Sequence, residues 1–94
     1  MPLETRPFDP AAYLDAEEAA VAYLNEALDT GDPAFVADAL GVVARARGMA
    51  GVAERAGLSR ESLYRSLGPG GNPEFATVLR VVRALGLRLA AARA

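Results

Sequence analysis

Gly57 and Ser59 stand two residues apart between two short apolar-patterned runs, and they fix the path of the chain more tightly than any other feature of this sequence. Glycine just past a helix takes the left-handed conformation that ends it, and serine is a strong helix cap, worth about 1 kcal/mol. A short helix from about Ala50 to Ala56 must therefore stop at Gly57, and another must begin after Ser59. Two helices so closely joined cross steeply, which requires a small residue at the crossing and apolar residues inside the angle. Ala53 supplies the first, and Val52, Leu58 and Leu63 supply the second. The segment from Met49 to Leu67 reads as a helix-turn-helix.

The second helix of that pair has a buried side set by Leu63 and Leu67. At about 100° per residue it turns Glu61 and Arg65 outward, flanks them with Ser62 and Tyr64, and leaves Arg60 at its start. Arginine can donate two hydrogen bonds to guanine O6 and N7, serine and glutamate can address other base edges, and a good bidentate contact discriminates by about 1–3 kcal/mol. Tyr64 can touch a phosphate or a thymine methyl. An ordinary polar helix surface would carry the same residues; the joint spacing of Ala53, Gly57, Ser59 and Leu63 favours double-stranded DNA as the ligand. The candidate DNA-binding residues are Ser59, Arg60, Glu61, Ser62, Tyr64 and Arg65.

The rest of the chain is helical in pattern. Asp15 can cap a first helix with Glu17 and Glu18 in its first turn, and Ala19, Ala20, Tyr23, Leu24, Ala27 and Leu28 make its buried stripe before Thr30-Gly31 ends it. Asp32-Pro33 starts a second helix, with Phe35, Val36, Ala39, Leu40, Val43 and Ala44 as the stripe and Gly48 as the stop. After Gly68-Pro69-Gly70-Gly71, Asn72-Pro73 repeats the cap-then-proline signal for a fifth helix. Phe75, Val78, Leu79, Val82 and Leu85 make it amphipathic, and Gly86 ends it. In the tail, Leu87-Arg88-Leu89 alternates like a short strand, for which the simplest partner is its own copy across a two-fold axis. Leu85, Leu87, Arg88 and Leu89 are thus the candidate dimerisation residues. The expected architecture is all-α, one five-helix domain over 15–94 with the helix-turn-helix at 49–67 and a strand-like tail at 86–94, preceded by an arm at 1–14.

Charge divides this chain. The net charge is −2, yet Met1 to Ala44 holds nine acids and one arginine, net −8, while the remainder holds nine arginines and three acids, net +6. Such a molecule can offer one end to phosphates and the other to a basic partner, although a solvated mixed surface would give the same totals. The chain has no cysteine and no histidine, which removes disulfides, thiol nucleophiles, imidazole bases and the usual zinc sets. Ser59 and Ser62 have no histidine to activate them, so no catalytic residue, metal or cofactor is expected. Phe8, Tyr13, Tyr23 and Phe35 read as packing residues rather than a ligand cage. The opening residues combine three prolines with Glu4, Arg6 and Asp9, and no apolar run approaches a membrane span, so a cytoplasmic protein without signal or anchor is expected. At 94 residues the chain buries only about 60 to 65 per cent of its unfolded surface, and a second copy would add to a thin core.

The strings AYLNEAL, DPAFVADALGVVARARGM, GLSRESLYRSL and GNPEFATVLRVVRALGLRL, in that order, resemble the addiction-module antidote family, covering most of residues 22 to 89. That resemblance implies a lambda-repressor-like (Cro-like) fold and the antitoxin of a type II toxin–antitoxin pair. It implies a cognate RelE/ParE-like toxin as partner, and autorepression by a homodimer bound to operator DNA. By it, Ser59, Arg60, Glu61, Ser62 and Arg65 match the positions of the reading helix. The sequence departs from the wider Cro-like pattern at Met49-Ala50, where Thr-Gln would cap the helix and hold a phosphate, and at Ser66, where a bulky apolar residue is usual.

Two other functions remain compatible with these residues. A stand-alone phage-type transcriptional repressor without a toxin would use the same helix pair. A protein-binding module that has lost DNA would account for Met49-Ala50, Ser66 and the overall acidity.

Overall fold

The computed structural model describes residues 17–94. The expected arm at 1–14, the Asp15 cap and the side chains of Phe8 and Tyr13 lie outside them. Five α-helices follow one another: α1 Glu17–Asp29, α2 Pro33–Arg47, α3 Met49–Ala56, α4 Arg60–Leu67 and α5 Phe75–Ala84. The described residues are all-helical, with no strand among them.

The start of α2 follows from two adjacent residues. Asp32 Oδ1 accepts from the Ala34 N–H at 3.0 Å, and Pro33 at the first helical position has no N–H to leave unpaired. From there α2 runs through the middle of the molecule, with α1, α3, α4 and α5 packed around it. Its buried residues are small or compact: Ala37, Ala39, Leu40, Gly41, Val43 and Ala44. Gly41 sets the closest approach. A Cβ there would lie 2.9 Å from the Leu67 carbonyl oxygen and 3.4 Å from the Leu67 Cβ, so only glycine lets the end of α4 seat this deeply.

One apolar cluster joins all five helices. Ala20 and Leu24 of α1, Leu40 and Val43 of α2, Val52 of α3, Leu63 and Leu67 of α4, and Val81 and Val82 of α5 belong to it, with Leu85 just beyond. A fully buried Val or Leu contributes about 1.5–3 kcal/mol, so α4, with only eight residues, is held mainly by Leu63 and Leu67.

Several expectations are corrected by the packing. Phe35 is 50% exposed rather than part of the α2 stripe. It lies about 140° round the helix from Leu40, just past the edge of the buried arc. Leu28, Leu79 and especially Phe75, at 69%, are also exposed. Phe75 shares a face with Val82, but it sits at the free N-terminal end of α5, where no neighbouring helix covers it. That helix also starts later than Asn72-Pro73 suggested. The Glu74 carbonyl accepts its first bond, from Val78 N–H at 3.0 Å, and no side chain caps it. Among the described residues the tail forms no strand, and the Leu87 N–H returns to the Val82 carbonyl at 3.0 Å. Leu87 and Leu89 lie half-buried on the core of their own chain, and Leu85 is inside it.

Candidate nucleic-acid interface

The turn between α3 and α4 is built from backbone bonds that Gly57 makes possible. With φ +72° it sits in the left-handed region; its N–H donates to the Glu54 carbonyl at 3.2 Å, and the Leu58 N–H reaches back to Ala53 at 2.9 Å. This pair of bonds closes α3 and aims Leu58 at the core. The chain then re-enters a helix at once, because Ser59 Oγ accepts from the Ser62 N–H at 3.0 Å and the Ser59 carbonyl accepts from the Leu63 N–H at 3.0 Å. Ala53, Val52 and Leu63 are all buried where the two helices meet.

That geometry leaves one side of α4 open. Ser59, Arg60, Glu61, Tyr64 and Arg65 are exposed, and Ser62 is half-buried. Glu61 and Arg65 project within about 40° of each other, opposite Leu63, with Tyr64 and Ser62 on either flank. The two serines differ in what they can offer. Ser59 Oγ accepts the Ser62 N–H and donates to Ser62 Oγ at 2.9 Å, so its hydroxyl is occupied within the cap. The Ser62 hydroxyl keeps its proton for an outside acceptor.

The start of α3 offers less. Gly48 is both the last residue of the α2 cap and the first of the α3 cap, and no side chain caps α3. Met49 is buried, so only backbone N–H groups face outward there.

Part of the basic half is structural. Arg47 Nη1 donates to the Leu85 carbonyl at 3.3 Å and Arg55 Nε donates to the Ala84 carbonyl at 3.0 Å, so two guanidinium groups from α2 and α3 close the C-terminal end of α5. Both sit where the helix dipole favours positive charge. The sequence carried no signal for this, because the partners are 38 and 29 residues away.

Among the described residues no group of His, Cys, Asp and Glu could hold a metal ion, and no helix is long and apolar enough to cross a membrane.

The sequence matches the probable addiction module antidote protein family over residues 4–93. The chain belongs to that family. The family implies a toxin of some kind as partner and a regulatory role. An uncharacterized protein of Haemophilus influenzae is 46% identical over 85 residues, covering 90% of this chain and 88% of its own. No solved structure gives a significant match.

Proposed function

We propose that this antidote is a type II antitoxin that binds the operator of its own operon through α4 and neutralises a RelE/ParE-like toxin by direct contact. In this reading α3 and α4 form the helix-turn-helix of a lambda-repressor-like domain. The observation that carries it is the exposed set Arg60, Glu61, Tyr64 and Arg65 on a helix pinned from behind by Leu63 and Leu67. A reading helix needs that combination of a rigid base and an open polar face. The protein works as a cytoplasmic homodimer, so that two copies of α4 meet two half-sites. The tail, Leu87 to Leu89, lies at the edge of the domain, where Arg88 is exposed and can contribute to the pairing.

Gel mobility shifts on the protein's own promoter test this reading. Arg60→Ala and Arg65→Ala should each weaken the complex at least about tenfold, in line with the loss of a specific arginine contact. Binding to the toxin should be unchanged. Equal shifts for the parent and both variants would refute the assignment of α4.

One observation favours a second reading, a protein-binding module without DNA: the start of α3 has no side chain placed to anchor a phosphate. A repressor without a toxin fits the helix pair equally well, and membership of the antidote family favours the antitoxin over it.

A further inference from the structure

Three arginines from two helices meet at a place that the reading face of α4 does not include. α5 packs closely on α3, and a concavity of about 270 Å³ opens between them. Arg55 and Ala56 of α3 line one side of it, and Leu79, Arg80 and Arg83 of α5 line the other. All three arginines are exposed, and no carboxylate is among the lining residues.

These charges have no local counterweight. Helical partners stand three and four positions away, and at those positions from Arg55, Arg80 and Arg83 the sequence has no acid. Arg80 and Arg83 are themselves such a pair, so they repel one another. The C-terminal dipole of α5 amounts to only about half a negative charge, and Arg47 and Arg55 already close that end. Positive charge therefore exceeds what the fold neutralises here.

The site is also partly organised in advance. The bond from Arg55 Nε to the Ala84 carbonyl, at 3.0 Å, fixes the plane of that guanidinium, and its two Nη groups have no other acceptor among the described residues. Gly51 gives it room, since Nη1 lies 3.2 Å from where a Cβ would stand. Leu79 and the buried Ala56 supply apolar surface beside the charges, where an ion contact is stronger than in open water.

Guanidinium groups only donate, so what they collect is an oxyanion. A carboxylate has two oxygens, which a single arginine fork can satisfy. A terminal phosphate has three free oxygens and a charge near −2, which suits three arginines better. The volume agrees, because about 270 Å³ falls just below the usual range of small-molecule sites and suits a compact anion rather than a folded segment of another chain. We infer that Arg55, Arg80 and Arg83 form a binding site for a terminal phosphate group, inorganic or carried on a small molecule. The inference is independent of the function proposed for α4. A phosphate held here bridges α3 to α5 and so stiffens the first helix of the helix-turn-helix against the helix behind it.

The test uses the full chain and inorganic phosphate, with sodium chloride at equal ionic strength as the reference. Arginine Nε–H resonances of Arg55, Arg80 and Arg83 should shift saturably with phosphate, and the thermal midpoint should rise by several degrees at ten times the dissociation constant. Arg80→Gln and Arg83→Gln, at exposed helical positions that glutamine tolerates, should each weaken phosphate at least about tenfold and leave the phosphate-free midpoint at or above that of the parent. Arg45→Gln, which removes an exposed arginine outside the concavity, should bind as the parent does. Equal shifts in chloride, or parental affinity in both Arg80→Gln and Arg83→Gln, would overturn the inference. Displacement of phosphate from Arg55 by duplex DNA would reassign the site to a backbone phosphodiester. Shifts of the three arginines with the protein of the adjoining reading frame but none with phosphate would make it a protein contact, and either result would equally overturn the inference.

Discussion

Arg55 Nε lies 3.0 Å from the carbonyl oxygen of Ala84, so the last residue of α5 is capped by a side chain from α3. The bond ties the first helix of the proposed DNA-reading pair to the helix behind it. Because the donor is exposed and charged, its net contribution is that of a solvated charge at a helix end, about 0.5–1 kcal/mol. Arg55→Ala should lower the thermal midpoint by several degrees, on a scale of roughly 4–8 °C per kcal/mol for a domain of this size. Arg55→Lys should recover part of the loss, since an ammonium keeps the charge but not the planar geometry. Calorimetry of the three proteins checks the order.

The contact between Gly41 and Leu67 gives the opposite kind of test, in which a single added methyl does the damage. A Cβ at residue 41 would meet the Leu67 carbonyl oxygen at 2.9 Å, and backbone on both sides leaves little room to give. Gly41→Ala should therefore destabilise the protein by about 1–3 kcal/mol despite alanine's better helix propensity. Urea denaturation would read this as a lower midpoint at unchanged slope. Gly51, in the interior of α3, should respond the other way. The nearest atom to its added Cβ is Arg55 Nη1 at 3.2 Å, on the guanidinium that also holds the Ala84 carbonyl, so Gly51→Ala should gain less than the full helix-propensity benefit of about 0.5–1 kcal/mol but should not destabilise as Gly41→Ala does.

Ser59 separates folding from binding. Its hydroxyl caps α4 through the Ser62 N–H at 3.0 Å, so Ser59→Ala should cost about 1 kcal/mol. Ser59→Asp preserves the cap and adds negative charge at the helix N-terminus, which favours the fold. On a DNA-facing surface the same charge repels phosphate. Ser59→Asp should therefore match the parent in thermal stability and fall well below it in operator affinity, whereas in a protein that does not use DNA neither form would bind the operator.

What could be read from the sequence was the local chemistry that depends on a few consecutive residues. Asp32-Pro33, Gly57 and Ser59 act through backbone groups within four positions, and each does so as the spacing suggested. Asn72-Pro73 has the same form as Asp32-Pro33, yet the helix waits until Phe75, because Glu74 is still extended at ψ 154°. Phe35 and Phe75 fit an apolar stripe by spacing alone; whether another helix covers them is settled by tertiary packing that no short window contains. The same holds for the apolar groove between α1 and α5, whose walls lie about fifty residues apart in the chain. On α4 the outward residues were legible, because eight residues with two buried leucines leave one orientation open. Arg47 and Arg55 were not, since charge totals cannot tell a surface arginine from one closing a distant helix.

Salt dependence distinguishes a DNA reader from a protein-binding module most directly, and Arg60 and Arg65 make the test specific. Every phosphate neutralised by an arginine releases counterions, so log affinity should fall linearly with log salt by about 0.9 per contact. If Arg60, at the exposed start of α4, meets a phosphate, Arg60→Ala should flatten that slope by roughly one unit and weaken operator and random DNA alike. Arg65 is one turn further along, beside Glu61 on the outward face, where a base edge is in reach. Arg65→Ala should lose about 1–3 kcal/mol on the operator and much less on random DNA, with the slope little changed. Fluorescence anisotropy at four salt concentrations with both DNAs gives the slopes and the specificity ratio together. A flat salt response in the parent protein would remove DNA from its functions, while identical losses for the two variants on both DNAs would leave α4 as a phosphate clamp rather than a reader.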